Sequence, residues 1–385
     1  MTDHDGSEPD KIFQPGKSCF GQLAGITMDP TNPVTSSTNS NPNDVGRLVA
    51  AYWNTHRRLI VVAIIFLPLV VVGLLLCSGA IGLRGHLRLT PPVGDAHAPA
   101  PLAWPFDLTG LTIDRQHIQV GGPTKDGIPS LTAPISVPIV NAELLSDQAR
   151  VVGVTVHGQS RAYPLDVLNW HECINDMLGG VPIAIIYCPL CDSVSVVDRR
   201  LDDQILEFGI SGLLYNSNVL LYDRQDHALW SQIGFTALSG PHAGRRLNHL
   251  TNWSLGRFNQ WETAHPDSSV VSLKTGWTRP YQHTPYADYF KNDHTWFPLD
   301  AVDNRMPKKT PVIGVWTGQK ARAYPVDIID GELTDRIAGQ PIVLRRDRNL
   351  GTVHIVKAPP SAAVMHSFWF AWYAFYPETE VYVRQ

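Results

Sequence analysis

The chain has 385 residues, a formal net charge of −4 at pH 7 and 44% hydrophobic residues. That length supports one large domain or two small ones with a real core. The near-neutral balance and the lack of any basic run give no electrostatic footprint for nucleic acid, which is excluded as an expected partner.

Residues 1–46 are rich in Pro, Ser, Thr, Asn, Asp and Gly, as in "MDPTNPVTSSTNSNPND", and read as a disordered tail. A juxtamembrane stretch, 47–58, leads to "LIVVAIIFLPLVVVGLLLCSGAIGL" at 59–83, which has no charged residue. Its length predicts a single transmembrane helix. A cleaved signal peptide fits less well, because the apolar run is too long and starts too far from Met1. Arg47, Arg57 and Arg58 precede the span, and Arg84 and Arg88 follow it. This slight excess predicts a single-pass protein of the cell membrane with its C-terminal domain extracytoplasmic. The membrane is the expected partner, while a protein partner or small substrate stays unassigned. Residues 84–124, with "TPPVGDAHAPAPLAWP", read as a Pro/Ala-rich linker, and 125–385 as the soluble domain.

Inside that domain the sequence repeats itself. "VVGVTVHGQSRAYPLDVL" from Val151 matches "VIGVWTGQKARAYPVDII" from Val312, and "NDMLGGVPIAII" resembles "TDRIAGQPIVLR". The copies cover 151–187 and 312–346. Each predicts a Val-rich strand, a Gly-containing turn and a second strand ending in Ala-Tyr-Pro, followed by another hairpin at Gly179-Gly180 or near Gly339. "SLGRFNQWETAH" predicts a helix capped by Ser254. The expected fold class is α+β, mainly antiparallel β, with two pseudo-symmetric hairpin repeats in one domain.

Between two predicted strands lies "YCPLCDS". Of five cysteines, Cys19 falls in the tail and Cys77 in the membrane span, leaving Cys173, Cys188 and Cys191. A Cys-x-x-Cys pair on a turn, with Pro189 presetting φ, is half of a tetrahedral metal site. His171, alternating with Cys173 on the strand predicted just before the one leading into this turn, is the nearest further ligand. Two thiolates and one imidazole would suit copper or zinc. A thiol–disulfide oxidoreductase using Cys188 and Cys191 is the alternative, and a structural disulfide in a non-enzymatic interaction domain is the third reading. The second copy has Asp347 and Leu350 in place of the thiols, which favours function over scaffold.

"SGLLYNSNVLLYDRQDHALWSQ" supplies a second polar cluster. Ser211, Asn216, Asp223, Arg224, Trp230 and Gln232 are candidate pocket residues, against the simpler reading of a hairpin with satisfied charges. The aromatic run "HSFWFAWYAFYPETEVY" reads most simply as core packing.

The ordered motifs "DGIPSLTAP", "VVGVTVHGQSRAYPLDVLNWHECIND", "YCPLCDSVSVVDRR", "FGISGLLYNSNVLLYDRQ", "LWSQ" and "GWTRPY" resemble the domain-of-unknown-function 3179 family over about 126–383. The resemblance implies no activity. It marks His171, Cys188, Cys191, Ser211, Asn216, Asp223, Arg224 and Trp230 as motif positions. Two departures stand out: Asp192, where family members usually carry a small residue, often Gly, and Cys173, where they usually carry an aliphatic one. The resemblance therefore leaves Cys173 outside the shared site.

Overall fold

The computed structural model describes residues 104–142, 145–347, 352–359 and 361–384. The predicted tail (1–46), juxtamembrane stretch (47–58), membrane helix (59–83) and residues 84–103 of the linker lie outside the described residues.

Three short strands come first: β1 (Ile118–Val120), β2 (Leu131–Thr132) and β3 (Ser136–Pro138). The first half of the body follows as β4 (Arg150–Val156), β5 (Gln159–Pro164), helix α1 (Leu165–His171), β6 (Cys173–Leu178), β7 (Val181–Cys188) and β8 (Ser193–Asp198). An excursion then makes β9 (Arg200–Leu201), β10 (Gln204–Ile205), β11 (Phe208–Tyr215), β12 (Asn218–Asp223), β13 (Leu229–Ser231) and β14 (Thr236–Ala237). The half closes with β15 (Trp253–Arg257), α2 (Phe258–Ala264) and β16 (Ser269–Val271). The second half is β17 (Pro311–Trp316), β18 (Ala321–Pro325), β19 (Gly331–Ile337), β20 (Gln340–Asp347), β21 (Thr352–Lys357), β22 (Ala363–Phe368), α3 (Trp369–Phe375) and β23 (Glu380–Val381). A single 3-10 turn, Val326–Ile328, stands where the first half has α1.

The halves interleave. One eight-stranded sheet runs β19-β20-β21-β15-β4-β5-β16-β3, and the other runs β2-β6-β7-β8-β22-β17-β18-β23. Each sheet therefore joins the opening hairpin and closing strands of one half to the three-stranded meander of the other. Two parallel pairings sit in equivalent places: β16 beside β5 and β23 beside β18. The rest of the body is antiparallel apart from β2 against β6.

Packing explains the local sequence. The run Val181–Cys188 is apolar throughout because β7 is buried on both faces. Ile183, Ile185 and Tyr187 join the core between the two large sheets, while Ala184, Ile186 and Cys188 join a second core under the excursion. The glycines shared by the repeats answer to tryptophans. A Cβ at Gly153 would lie 2.0 Å from a ring carbon of Trp261, and one at Gly314 would lie 2.2 Å from the matching carbon of Trp372. The hairpin turns Gly179-Gly180 and Ala338-Gly339 have positive φ at both central residues, as tight type I′ turns require.

Three expectations change. The fold class, an α+β domain preceded by a transmembrane helix, is corrected to a mainly β architecture, with strands at 42% and helix at 13%. The described residues contain three helices of seven residues each, and none is long and apolar enough to cross a membrane. The antiparallel β core agrees with the reading from sequence. Residues 104–124 are part of the domain rather than linker. Trp104, Phe106, Leu108, Leu111 and Ile113 pack against the five-stranded sheet β1-β11-β12-β13-β14. Their apolar residues follow no period, which is why composition hid them. Ser254 lies within β15 and caps nothing; α2 starts at Phe258.

Candidate functional site

Cys188 ends β7, and Pro189–Cys191 make one 3-10 turn before β8 begins. Both cysteines are free, with 1% and 0% of their surface exposed. The turn lies between the outer face of the second sheet and the excursion. The excursion's β11–β12 turn, Asn216-Ser217, abuts it: the Cys191 thiol donates to the Ser217 carbonyl at 3.2 Å. Asn216 and Ser217 both hold positive φ, an unusual state for Ser that a tight hairpin turn imposes here.

The two sulfurs have opposite electrostatic surroundings. Burial would raise the Cys188 thiol. The Cys191 thiol and the backbone N–H groups of Val219, Cys191 and Leu190 outweigh it and hold Cys188 below the usual thiol range. Cys191 goes well above that range, through burial and the neighbouring, negatively charged Cys188 sulfur. Cys173, at the start of β6, is pushed up to about 12 by burial. Cys188 alone is thus disposed to be a thiolate.

Two carboxylates flank the turn: Asp192, noted from sequence only as a departure from the family pattern, and Glu172, which the sequence reading did not single out. Glu172 follows α1 with φ 55° and is 6% exposed. Its backbone carbonyl accepts from Tyr187 N–H at 2.8 Å, and its side chain accepts from the Tyr286 hydroxyl at 3.0 Å. Burial and then the charge on Cys188 raise its carboxyl to about 8. Asp192 follows Cys191 with φ 43°. The left-handed backbone accounts for a small residue at this position, since Gly adopts it freely and Asp tolerates it. Arg150 donates to both Asp192 carboxylate oxygens at 2.9 and 3.0 Å, and the Tyr187 hydroxyl adds a bond of 3.0 Å. Burial would raise Asp192, but Arg150 and His366 hold it below the usual carboxylate range.

His171 is not gathered with the sulfurs. It is the last residue of α1 rather than part of a strand, because Pro164 opens a helix long enough to reach it. Its Nδ1 lies 2.7 Å from the Pro129 carbonyl and its Nε2 lies 2.8 Å from the Tyr281 hydroxyl. A carbonyl only accepts, so Nδ1 carries the proton and Nε2 accepts from Tyr281. Burial lowers the His171 pKa. Among the described residues no group of three or more His, Cys, Asp or Glu side chains is arranged to hold a metal ion. The expected Cys188–Cys191–His171 set for copper or zinc thus lacks its third ligand.

The polar residues of the excursion divide in two. Gln232 is next to the turn: its amide donates to the carbonyls of Ile186 and Ser193, and its oxygen accepts from Ser193 and Asn218, both at 2.8 Å. Asn216 ties the same end down through Asp300 N–H and the Ala374 carbonyl. Ser211 accepts from Leu213 N–H at the irregularity in β11. Asp223 accepts from the Trp230 indole at 2.7 Å, and Arg224 pairs with Asp126 and Glu207. Asp223 also accepts from Asp226 N–H and Arg224 also donates to the Tyr222 hydroxyl and Ser130, and none of these bonds reaches the thiol turn.

Residues 125–362 match the family described as "Protein of unknown function (DUF3179)". The chain belongs to this family. No curated protein and no solved structure matches it. Of the DUF3179 motif positions, Cys188 and Cys191 meet in one turn and Asn216 stands in the hairpin turn that covers them. His171, Ser211, Asp223, Arg224 and Trp230 make their polar contacts elsewhere.

Proposed function

We propose that the Cys188–Cys191 pair carries out thiol–disulfide exchange. What supports this reading most is that both sulfurs stand free in one turn, Cys188 at the end of β7 and Cys191 at the end of the 3-10 turn that follows. The surroundings hold Cys188 below the usual thiol range and Cys191 above it, which divides the pair into an attacking and a resolving sulfur. Cys188 is the nucleophile. Its thiolate attacks one sulfur of a substrate disulfide; that bond breaks, and the departing thiolate takes a proton. Cys191 then gives up its proton and attacks the Cys188 sulfur, closing the intramolecular disulfide and releasing the second thiol. Two electrons pass from the pair to the substrate disulfide, and the reverse sequence oxidises a dithiol. The high pKa of Cys191 keeps it protonated until Cys188 has lost its charge.

Full-length protein equilibrated in glutathione buffers, acid-quenched and alkylated, tests this by mass. The pair should titrate as a two-electron couple. Cys191→Ser should trap glutathione on Cys188, Cys188→Ser should trap none at Cys191, and Cys173→Ala should behave as wild type. A pair that stays reduced at every potential, with no adduct in Cys191→Ser, would sink the proposal.

A further inference from the structure

The chain between β16 and β17, residues 272–310, holds no strand and a single 3-10 turn, Tyr289–Lys291. Three of its tyrosines bond to the body: one at the end of α1, one to the carboxylate beside the thiol turn and one within the turn. Tyr281 donates to His171 Nε2 at 2.8 Å, Tyr286 to Glu172 at 3.0 Å, and Tyr289 to the carbonyl of Leu190, between the two cysteines, at 3.0 Å. Towards its far end the segment is tied to itself and to α3. The Lys309 ammonium donates to the carbonyls of Tyr289 and Asn292 and lies 3.4 Å from the centre of the Tyr289 ring, and the carbonyls of Lys308 and Thr310 accept from Phe370 and Trp369 N–H at 2.9 and 2.8 Å. Trp296 packs edge-on to Tyr289 with ring centres 4.7 Å apart, yet is 48% exposed.

A sulfur 1% exposed cannot meet a disulfide unless something moves. The excursion and α3 also cover the pair. However, the excursion is tied into a five-stranded sheet, and α3 buries Trp369 and Trp372 completely. Moving either would break a ladder or a core. The 272–310 segment belongs to no strand ladder; it is held by phenol hydrogen bonds, aromatic edges and scattered single bonds, such as Ser272 N–H to the Ile135 carbonyl, Asp300 N–H to Asn216 and the Lys308 and Thr310 carbonyls to α3. Such segments open locally at far less cost than the whole fold.

We propose that residues 272–310 form a strap that gates the Cys188–Cys191 pair, and that His171 and Glu172 are positioning residues holding it shut through Tyr281 and Tyr286. The inference rests on the thiol-exchange reading for its purpose, though not for its geometry. It gives His171 a task that needs no metal. It also divides the substrates: with the strap shut, only small reagents penetrate to Cys188, and a protein disulfide waits for it to open.

The test measures access separately from redox activity. Full-length protein with Tyr286→Phe, Tyr289→Phe, or Phe at 281, 286 and 289 together is treated with iodoacetamide or with a polymer-bearing maleimide. Labelling of Cys188 is followed by peptide mass. Each lost hydroxyl should speed labelling roughly 3- to 10-fold and the triple variant about 100-fold. The gain should be greater for the bulky reagent, and the rate should not change in low urea. Lys309→Met, which frees Tyr289 and Asn292 from the part of the segment bonded to α3, should act in the same direction and keeps the test decisive if the triple variant fails to fold. Wild-type rates in folded variants would overturn the strap, as would a gain that only tracks lost global stability. If labelling accelerates as expected but the pair never exchanges with glutathione, the strap stands and the thiol-exchange reading falls.

Discussion

In the first half of the body, Arg161 and the Tyr163 hydroxyl both bond one oxygen of Asp176, at 2.5 and 2.8 Å; in the second half, Arg322 and Tyr324 bond Asp335 at the same two distances. Trp261 donates to Ser268, and Trp372 donates to Thr379, seven residues on in both cases. The frame is therefore built twice from the same parts. The halves diverge in the first at α1, at the Cys-Pro-Leu-Cys turn and in the excursion β9–β14. In the second they have a 3-10 turn and a direct run from β21 to β22. The thiols and the structure that buries them occur in the same half, and the frame closes without either. This contrast favours reading that corner as an addition that carries chemistry.

The largest expected effect tests whether the frames are equivalent. Gly153→Ala and Gly314→Ala each drive a methyl group into an indole buried under a helix. Each should cost about 3 kcal/mol or more, because the ring cannot retreat without shifting α2 or α3. Urea unfolding should show similar losses for both. A large loss at one glycine and none at the other would break the symmetry on which the contrast rests.

A middle-sized effect belongs to the first half alone. The Glu172 carboxyl is raised to about 8 by burial and by Cys188, from an ordinary value of 4.5. A carboxyl with a raised pKa holds its proton more tightly when folded. Its stabilising contribution is thus complete below pH 4.5 and lost as the pH rises through about 8. His171 and His366 have lowered pKa values, and their contribution runs the other way, fading as the pH falls. The difference between wild type and Glu172→Gln isolates the carboxyl. Wild type should lose stability relative to the variant across that window. Parallel stability curves would show that Glu172 is ionised already, and the charge coupling to Cys188 would be gone.

How much of this was legible in the sequence follows from which contacts are local. Arg-Ala-Tyr-Pro announced the repeat because its Arg and Tyr converge on one Asp in each half, which restrains three positions at once. The helix in "SLGRFNQWETAH" was read, but the equivalence of the closing units β15-α2-β16 and β22-α3-β23 went unseen. They share little beyond a Trp and a hydroxyl, and the excursion shifts their spacing between the copies. The β7 strand was legible from its apolar run, and the turn from Pro189 between two cysteines. His171 was misread because two-residue alternation with Cys173 looks like a strand, whereas α1 continues up to it. Glu172 and Tyr281 lie inside quoted motifs but carried no assigned role there, and Tyr286 and Tyr289 gave no local signal at all. Their meaning lies in hydrogen bonds that span about a hundred residues of chain, which no spacing rule reaches.

The smallest effect concerns Asp192, and it separates what the turn needs from what this chain has added. The backbone there, at φ 43° and ψ 37°, is left-handed. Alanine pays about 1 kcal/mol for that conformation and glycine does not. Both substitutions lose the Arg150 pair and the Tyr187 hydrogen bond equally, and Arg150, whose side chain is 40% exposed, can turn to water. Asp192→Gly should therefore be about 1 kcal/mol more stable than Asp192→Ala in urea unfolding, although both fall below wild type. If alanine proves equal to or better than glycine, backbone conformation is not the constraint, and the carboxylate's contacts with Arg150 and Tyr187 must set the shape of the turn. If glycine wins, the turn can present Cys188 and Cys191 without any carboxylate. The Asp192–Arg150 pair is then reinforcement added to a thiol turn already complete in its backbone.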